Sequence, residues 1–409
     1  MSTSRTFHRR QWMQGATAFG FGSLLASHFN RAWTSSENPA RFRRCVVLWM
    51  EGGPSQLDTF DPKRSSTRKS IATNVTGLKF AETLPGLAAR ADELCVVRSV
   101  GSREGEHGRA TELMHTGFAP VPSFPRPALG SIFSHQVANG RSAIPNYVTL
   151  GGSGYGPAFL GTKNAAFVIE NMEQAKRQLD QVARKQAALD LLSNFNESYA
   201  RTNSSAKASQ RSASIESVRR LLDTSFSKAL ELDNVSTFDR NRYGDHRFGQ
   251  RVLAARQLLK SGVPFVEVQL SGWDTHVSNQ RRTNELCQLL EQPWLALMDD
   301  LQRNHLWDDT LIVWMGEFGR TPTINGRAGR DHFPEATPVV MAGGGLGGKV
   351  VGQTSDNGAK REGDTHTVGD LMATVLTLLG IDIHQEFTTS FGSPTTVTDN
   401  GTPIPTLVS

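Results

Sequence analysis

Residues 45–54 read C-V-V-L-W-M-E-G-G-P. The six apolar residues form a short continuous run suited to a strand buried on both faces, and Glu51-Gly52-Gly53-Pro54 ends it in a turn. The pattern recurs along the chain. Strands are expected at 94–100, 144–150, 263–270, 310–315 and 338–342, with a Gly-rich loop at 151–156. Helical spacing marks 107–116, 171–200, 215–232, 247–260, 283–303 and 370–379, the last closed by Gly380. Continuously apolar strands alternating with helices predict an α/β fold, a mostly parallel sheet between helical layers.

In such sheets ligands gather beyond the carboxyl ends of the strands. The segments at those ends are polar here: E-G-G-P-S-Q-L-D-T-F-D-P-K after 45–50, G-S-R-E-G-E-H-G-R after 94–100, S-G-W-D-T-H after 263–270 and G-E-F-G-R-T-P after 310–315. G-R-D-H-F-P leads into the strand at 338. Carboxylates and imidazoles converging from several strand ends make a constellation that binds a divalent cation. Taken singly each group has a plainer reading. Asp274 and His276 could be a turn and its capping partner, and Glu317 could pair with Arg320. Asp331-His332 could be a surface turn, His107 a helix start, and Asp58 and Asp61 turn formers.

The chain has 409 residues, a formal charge of +5 and a pI of about 9.2. Residues 1–44 hold seven Arg against Glu37, a net of +6, so the remaining 365 residues carry −1. A phosphate-tracking surface, and hence a nucleic-acid partner, is not expected. The basic start, with Arg9-Arg10 ahead of a Gly- and Ala-diluted apolar run at 15–26, resembles a twin-arginine export signal, too short to span a bilayer comfortably. Membrane contact is expected only through this segment if it stays uncleaved. Three widely spaced cysteines (45, 95, 287) suggest neither a disulfide framework nor thiol chemistry.

The quoted motifs, together with D-L-M-A-T-V-L-T-L-L-G-I-D near the end, resemble the domain-of-unknown-function family 1501 over about residues 5–390. That family is similar to the alkaline phosphatase and sulfatase superfamily. The resemblance implies a three-layer α/β/α sandwich with a metal site at the strand ends. With the residues read as a signal and linker at 1–44, a helical, partly low-complexity middle at 171–260 and an extended tail at 391–409, it implies a catalytic domain at 45–390. Under it, Glu317 and Phe318 stand where the superfamily has Asp-His, His332 matches the late His, and Glu51 takes the first Asp place. Ser55, Asp58 or Asp61 are alternatives to Glu51. His107 falls at the nucleophile place, where Ser, Thr or Cys is usual, with Thr111 one turn on; it is a ligand, a general acid or a nucleophile.

The expectation is therefore a secreted, periplasmic or envelope metallohydrolase of small or polymeric anionic phosphate or sulfate esters. Asp274, His276 and His332 would hold one ion, and Glu317 with Glu51 or Asp58, and His107, a second. Zinc or manganese suits mixed oxygen and imidazole ligands better than calcium or magnesium. Arg320 and Arg330 would clamp a tetrahedral anion. The alternative is a non-catalytic metal- or anion-binding envelope protein with a degenerate site.

Overall fold

The expected apolar runs become strands of one sheet in the computed structural model, which describes residues 40–137, 144–184, 225–389 and 391–409. Nine strands build it: β1 (Arg44–Glu51), β2 (Leu94–Gly101), β3 (Tyr147–Leu150), β4 (Phe167–Ile169), β5 (Phe265–Ser271), β6 (Thr310–Met315), β7 (Thr337–Ala342), β8 (Lys349–Val351) and β9 (His366–Thr367). The order is β8-β2-β7-β6-β1-β5-β3-β4, with β9 beside β2. All neighbours are parallel except β7, which runs antiparallel to both β2 and β6.

The reversal of β7 matters for the site. Its N-terminal end lies at the edge where the other strands terminate, so His332, just ahead of Thr337, joins residues that follow β1, β2, β5 and β6. Residues alternating along β1 explain why the run is continuously apolar. Val46, Leu48 and Met50 face one core, with Val252 of helix Arg247–Ser261 and Leu290 of helix Asn279–Arg303. Cys45, Val47 and Trp49 face the other, with Met114, Phe133 and Leu371 of helices His107–Thr116, Leu129–Val137 and Val368–Leu378. The molecule is thus a three-layer sandwich with a mostly parallel central sheet.

The expected strand at 144–150 begins only at Tyr147, because Pro145 has no N–H for the ladder. Strands β4, β8 and β9 are two or three residues long and leave no apolar run to read. In the middle region helices cover Met172–Ala183, Ser225–Ala229 and Thr237–Tyr243. The low-complexity stretch at 202–214, the parts of the expected helices at 185–200 and 215–224, and residues 1–39 of the expected signal and linker at 1–44 lie outside the described residues. The tail read as extended is tied down: Pro394–Thr395 pairs with Phe387–Thr388, and Val397, Ile404 and Leu407 are buried. Among the described residues no helix is long and apolar enough to cross a membrane. The three cysteines are free and buried, and burial pushes the Cys95 and Cys287 thiols up to about 12, as inert thiols require.

Candidate metal centre

The backbone after β1 lies directly against the loop after β5. The Trp273 N–H donates to Glu51 O at 3.0 Å, and the buried Trp273 ring anchors the loop that presents Asp274. Gly52 has φ +114°, and a Cβ there would overlap the backbone nitrogen of Asp274. Only glycine permits this approach. It also leaves the Gly52 N–H free to donate to Glu317 Oε1 at 2.8 Å.

Three imidazoles surround Asp274, and each is oriented by an acceptor on its Nδ1. His107 Nδ1 faces Glu317 Oε1 at 2.8 Å, His276 Nδ1 faces Asp331 Oδ1 at 2.8 Å, and His332 Nδ1 faces the Gly105 carbonyl at 2.7 Å. Carboxylates and carbonyls only accept, so all three Nδ1 atoms donate and the Nε2 lone pairs remain. Those lone pairs converge: Nε2 of His107, His276 and His332 lie 3.5, 3.2 and 3.4 Å from Asp274 Oδ1. His276 Nε2 and His332 Nε2 are only 2.8 Å apart, so a proton or a metal cation joins them. Tetrahedral bonds of about 2.0–2.1 Å place ligand atoms roughly 3.3 Å apart, which matches the spacings to Asp274. Ligand atoms of His107, Asp274 and His332 all lie within 4.8 Å of one another.

Two loops are laced together to hold this arrangement. Asn279 N–H donates to Ala328 O at 2.9 Å and Arg330 N–H to Thr275 O at 3.1 Å. Asn325 Nδ2 donates both to His276 O at 3.1 Å and to Asp331 Oδ1 at 3.0 Å. Ser278 and Ala328 sit at φ +52° and +54°, strained positions for residues with a Cβ. Phe318, at the place of the expected superfamily His, is buried and packs against His107 and His332 with ring centroids 5.0 and 4.3 Å away. It supplies a wall in place of a ligand.

The surroundings tune the groups differently. Burial holds His332 below the ordinary imidazole value, while the hydrogen bond that His107 donates to Glu317 holds His107 above it. Partial burial disfavours the Asp274 carboxylate, but the hydrogen bond and charge of Arg320 outweigh it and hold its pKa low.

Several sequence candidates are placed elsewhere. Asp58 does not join the centre: fully buried, it pairs with Arg330 Nε at 2.8 Å and accepts from Ser55 Oγ (2.6 Å), Asn279 Nδ2 (2.8 Å) and Thr67 N–H (2.9 Å). Asp61 is likewise buried beside Arg98 (3.1 Å) and Lys63 (3.3 Å). Nor are the arginines free to clamp an anion. Arg320 is fully buried and donates to Gly52 O, Gly53 O, Arg330 O and Asp274 Oδ1. Arg330 donates to Asp58 and to the carbonyls of Ser65, Thr321 and Pro322. Glu51 is exposed on a neighbouring cavity wall, outside the convergent set. His107, expected with Glu317 at a second ion, stands instead beside Asp274, and Glu317 backs it through Nδ1.

That cavity, about 460 Å³, opens beside His107, Asp274 and Glu317 and reaches His115 and Glu267 at its floor. His115 Nε2 lies 3.2 Å from Glu267 Oε1, its Nδ1 2.8 Å from Thr111 O, and Tyr147 OH donates to Glu267 Oε2 at 3.2 Å. The one cue in the sequence is Glu267 itself, a carboxylate within the apolar run V-P-F-V-E-V-Q-L that must find a buried partner. Burial alone would lower the His115 pKa, but the charge and hydrogen bond of Glu267 raise it above the ordinary value. Its stabilising contribution is therefore complete below about pH 6.5 and lost as pH rises through the folded pKa. Urea unfolding from about pH 6 to 9 is expected to show this loss in the native chain and not in His115→Gln.

Fold and site together define an α/β protein that collects imidazoles and carboxylates at the C-terminal edge of its sheet. The chain belongs to the DUF1501 family, described as "Protein of unknown function (DUF1501)", whose model matches residues 42–408. No curated protein matches it. Similar solved structures include a protein in the alkaline phosphatase superfamily from Vibrio parahaemolyticus, 14% identical, covering 84% of this chain and 69% of that one at a TM-score of 0.38. The phosphonate monoester hydrolase of Agrobacterium radiobacter is 13% identical over 90% of this chain and 77% of its own (TM-score 0.37). The zinc complex of the C-terminal periplasmic domain of EcEptC from Escherichia coli is 8% identical over 85% of each chain (TM-score 0.42).

Proposed function

We propose that this protein is an exported hydrolase of phosphate or sulfate esters that works with one divalent ion, zinc or manganese, held by His107, His276, His332 and Asp274. The observation that carries the reading is the convergence of three oriented Nε2 lone pairs on one carboxylate oxygen. The orphaned Glu317 Oε2, buried with no hydrogen-bond partner, adds to it, since such an oxygen beside the centre favours a nearby cation. When bound, the ion would supply Lewis-acid polarisation of the ester and activation of water. The chain's own part is to orient the ligands and to shape the approach. Among the described residues lining the cavity there is no Lys or Arg, while Glu51, Glu267, Asp274 and Glu317 are all acidic. An anionic ester therefore finds compensating charge only at the centre. Residues 1–44 would direct the chain across the membrane through the twin-arginine route.

Glu317 acts on this reading as a positioning residue. Glu317→Gln is expected to weaken zinc binding about 10–100-fold, as loss of an outer carboxylate partner of a ligating imidazole does, with the fold kept. Equilibrium dialysis against zinc checks it, and unchanged affinity would leave Glu317 without that role. A second reading, an envelope protein that holds an ion without turnover, is favoured by His107 standing where a hydroxyl or thiol nucleophile is expected. Hydrolysis of p-nitrophenyl phosphate and p-nitrophenyl sulfate by the zinc- and manganese-loaded protein, against a chelated control, separates the two. Metal-dependent turnover supports the hydrolase; a fully loaded protein with no turnover on either ester supports the binder.

A further inference from the structure

The three imidazoles of the centre are oriented by unlike acceptors. His107 has Glu317, which is 1% exposed and also held by the Gly52 N–H, and His332 has a backbone carbonyl. Of the three, His276 depends on a surface side chain: that of Asp331 is 55% exposed. An exposed contact of this kind holds weakly on its own, because water competes for the carboxylate. Asn325 supplies the second hold. Its Nδ2 donates at 3.0 Å to Asp331 Oδ1, the oxygen that His276 Nδ1 also faces, and at 3.1 Å to the His276 carbonyl. Its Oδ1 accepts from the Arg327 N–H at 2.9 Å and the Gly329 N–H at 3.0 Å. Two acceptors meet the nitrogen and two donors meet the oxygen, so the amide fits in one orientation only.

We propose that Asn325 is a positioning residue of the metal centre, acting through Asp331 to fix the ring of His276. The proposal rests on the metal-centre reading but not on turnover of any ester. The site requires an amide because its two ends serve different partners. Asn325→Asp keeps an oxygen for the Arg327 and Gly329 N–H groups, and with it the turn that Asn325 N–H closes by donating to Gly329 O at 2.9 Å. The same substitution sets a second carboxylate oxygen about 3.0 Å from Asp331 Oδ1. Like charges at that distance repel, and Asp331 is driven from His276.

Zinc affinity by equilibrium dialysis, urea unfolding of the metal-free chain and the visible spectrum of the cobalt-loaded chain test the proposal together. Asn325→Asp is expected to bind zinc about tenfold more weakly than the native chain, with an unchanged urea midpoint. Its cobalt bands should weaken as the ion loses one of four protein ligands. Asp331→Ala, at an exposed position, should reproduce both the loss and the spectrum, and combining the two substitutions should add no further loss. Native affinity in either single variant overturns the proposal, and so do additive losses in the double variant. Stability and affinity that fall together in Asn325→Asp, with the cobalt spectrum unchanged, would reduce the residue to a brace of its own loop. A native chain that binds no zinc refutes the metal centre itself and this proposal with it, so the two failures are distinguishable.

Discussion

His332→Ala is expected to lower zinc affinity by more than about a hundredfold and to abolish metal-dependent ester cleavage, while leaving the chain folded. The lower bound follows from the 10–100-fold cost of losing an outer partner alone, since His332 supplies a ligand atom directly. Folding should survive because the His332 side chain is 23% exposed and its polar contacts, with Gly105 O, the facing imidazole and Asp274, all lie at the site rather than in the core. The substitution also removes the 2.8 Å contact between His276 Nε2 and His332 Nε2. Without metal the variant should lose little stability, because the side chain is partly exposed, and the stabilisation that zinc gives the native chain should disappear. Thermal unfolding with and without zinc measures both halves. A variant that still gains stability from zinc as the native chain does would place the ion elsewhere.

The second large effect belongs to a pair that carries no chemistry. Asp58→Ala strands the Arg330 guanidinium in a site where both partners are fully buried, and breaking such a pair costs about 3–5 kcal/mol. Burial alone would raise the Asp58 pKa; the charge of Arg330 with hydrogen bonds from Ser55 and Thr67 holds it below the ordinary value. Its contribution is accordingly present above about pH 3.9 and lost as pH falls through the lower folded value. Arg330 also fixes its loop to Thr275 and directly precedes Asp331 and His332, so zinc affinity should fall with stability. Replacing both partners by apolar residues of similar volume should recover much of the stability, which urea unfolding can establish. Equal cost for the single and double replacements would contradict this role for the pair.

The long strands are legible because a strand covered on both faces must be apolar throughout, as 45–50 and 310–315 are. Convergence of Asp274, His276, Glu317 and His332 on one edge follows from the strand-end rule, and the reversed β7 explains why His332 precedes its strand rather than following one. The pairings are not legible. Asp58 and Arg330 are 272 residues apart, and nothing local distinguishes a carboxylate aimed at a cavity from one aimed at a buried guanidinium. Arg320 misleads in the same way: its place beside Glu317 suggests an anion clamp, yet its donors go to backbone carbonyls and Asp274. His107 reads as a nucleophile place by sequence order, whereas the Glu317 carboxylate on its Nδ1 turns Nε2 toward Asp274.

The most direct test of the metal centre is an anomalous difference map from zinc-soaked crystals of the full chain, measured at the zinc absorption edge. The expected result is one strong peak within about 2.0–2.2 Å of the Nε2 atoms of His107, His276 and His332 and of Asp274 Oδ1. No peak at millimolar zinc, or a peak held by Glu51 and Glu317 with the three imidazoles unengaged, would contradict it.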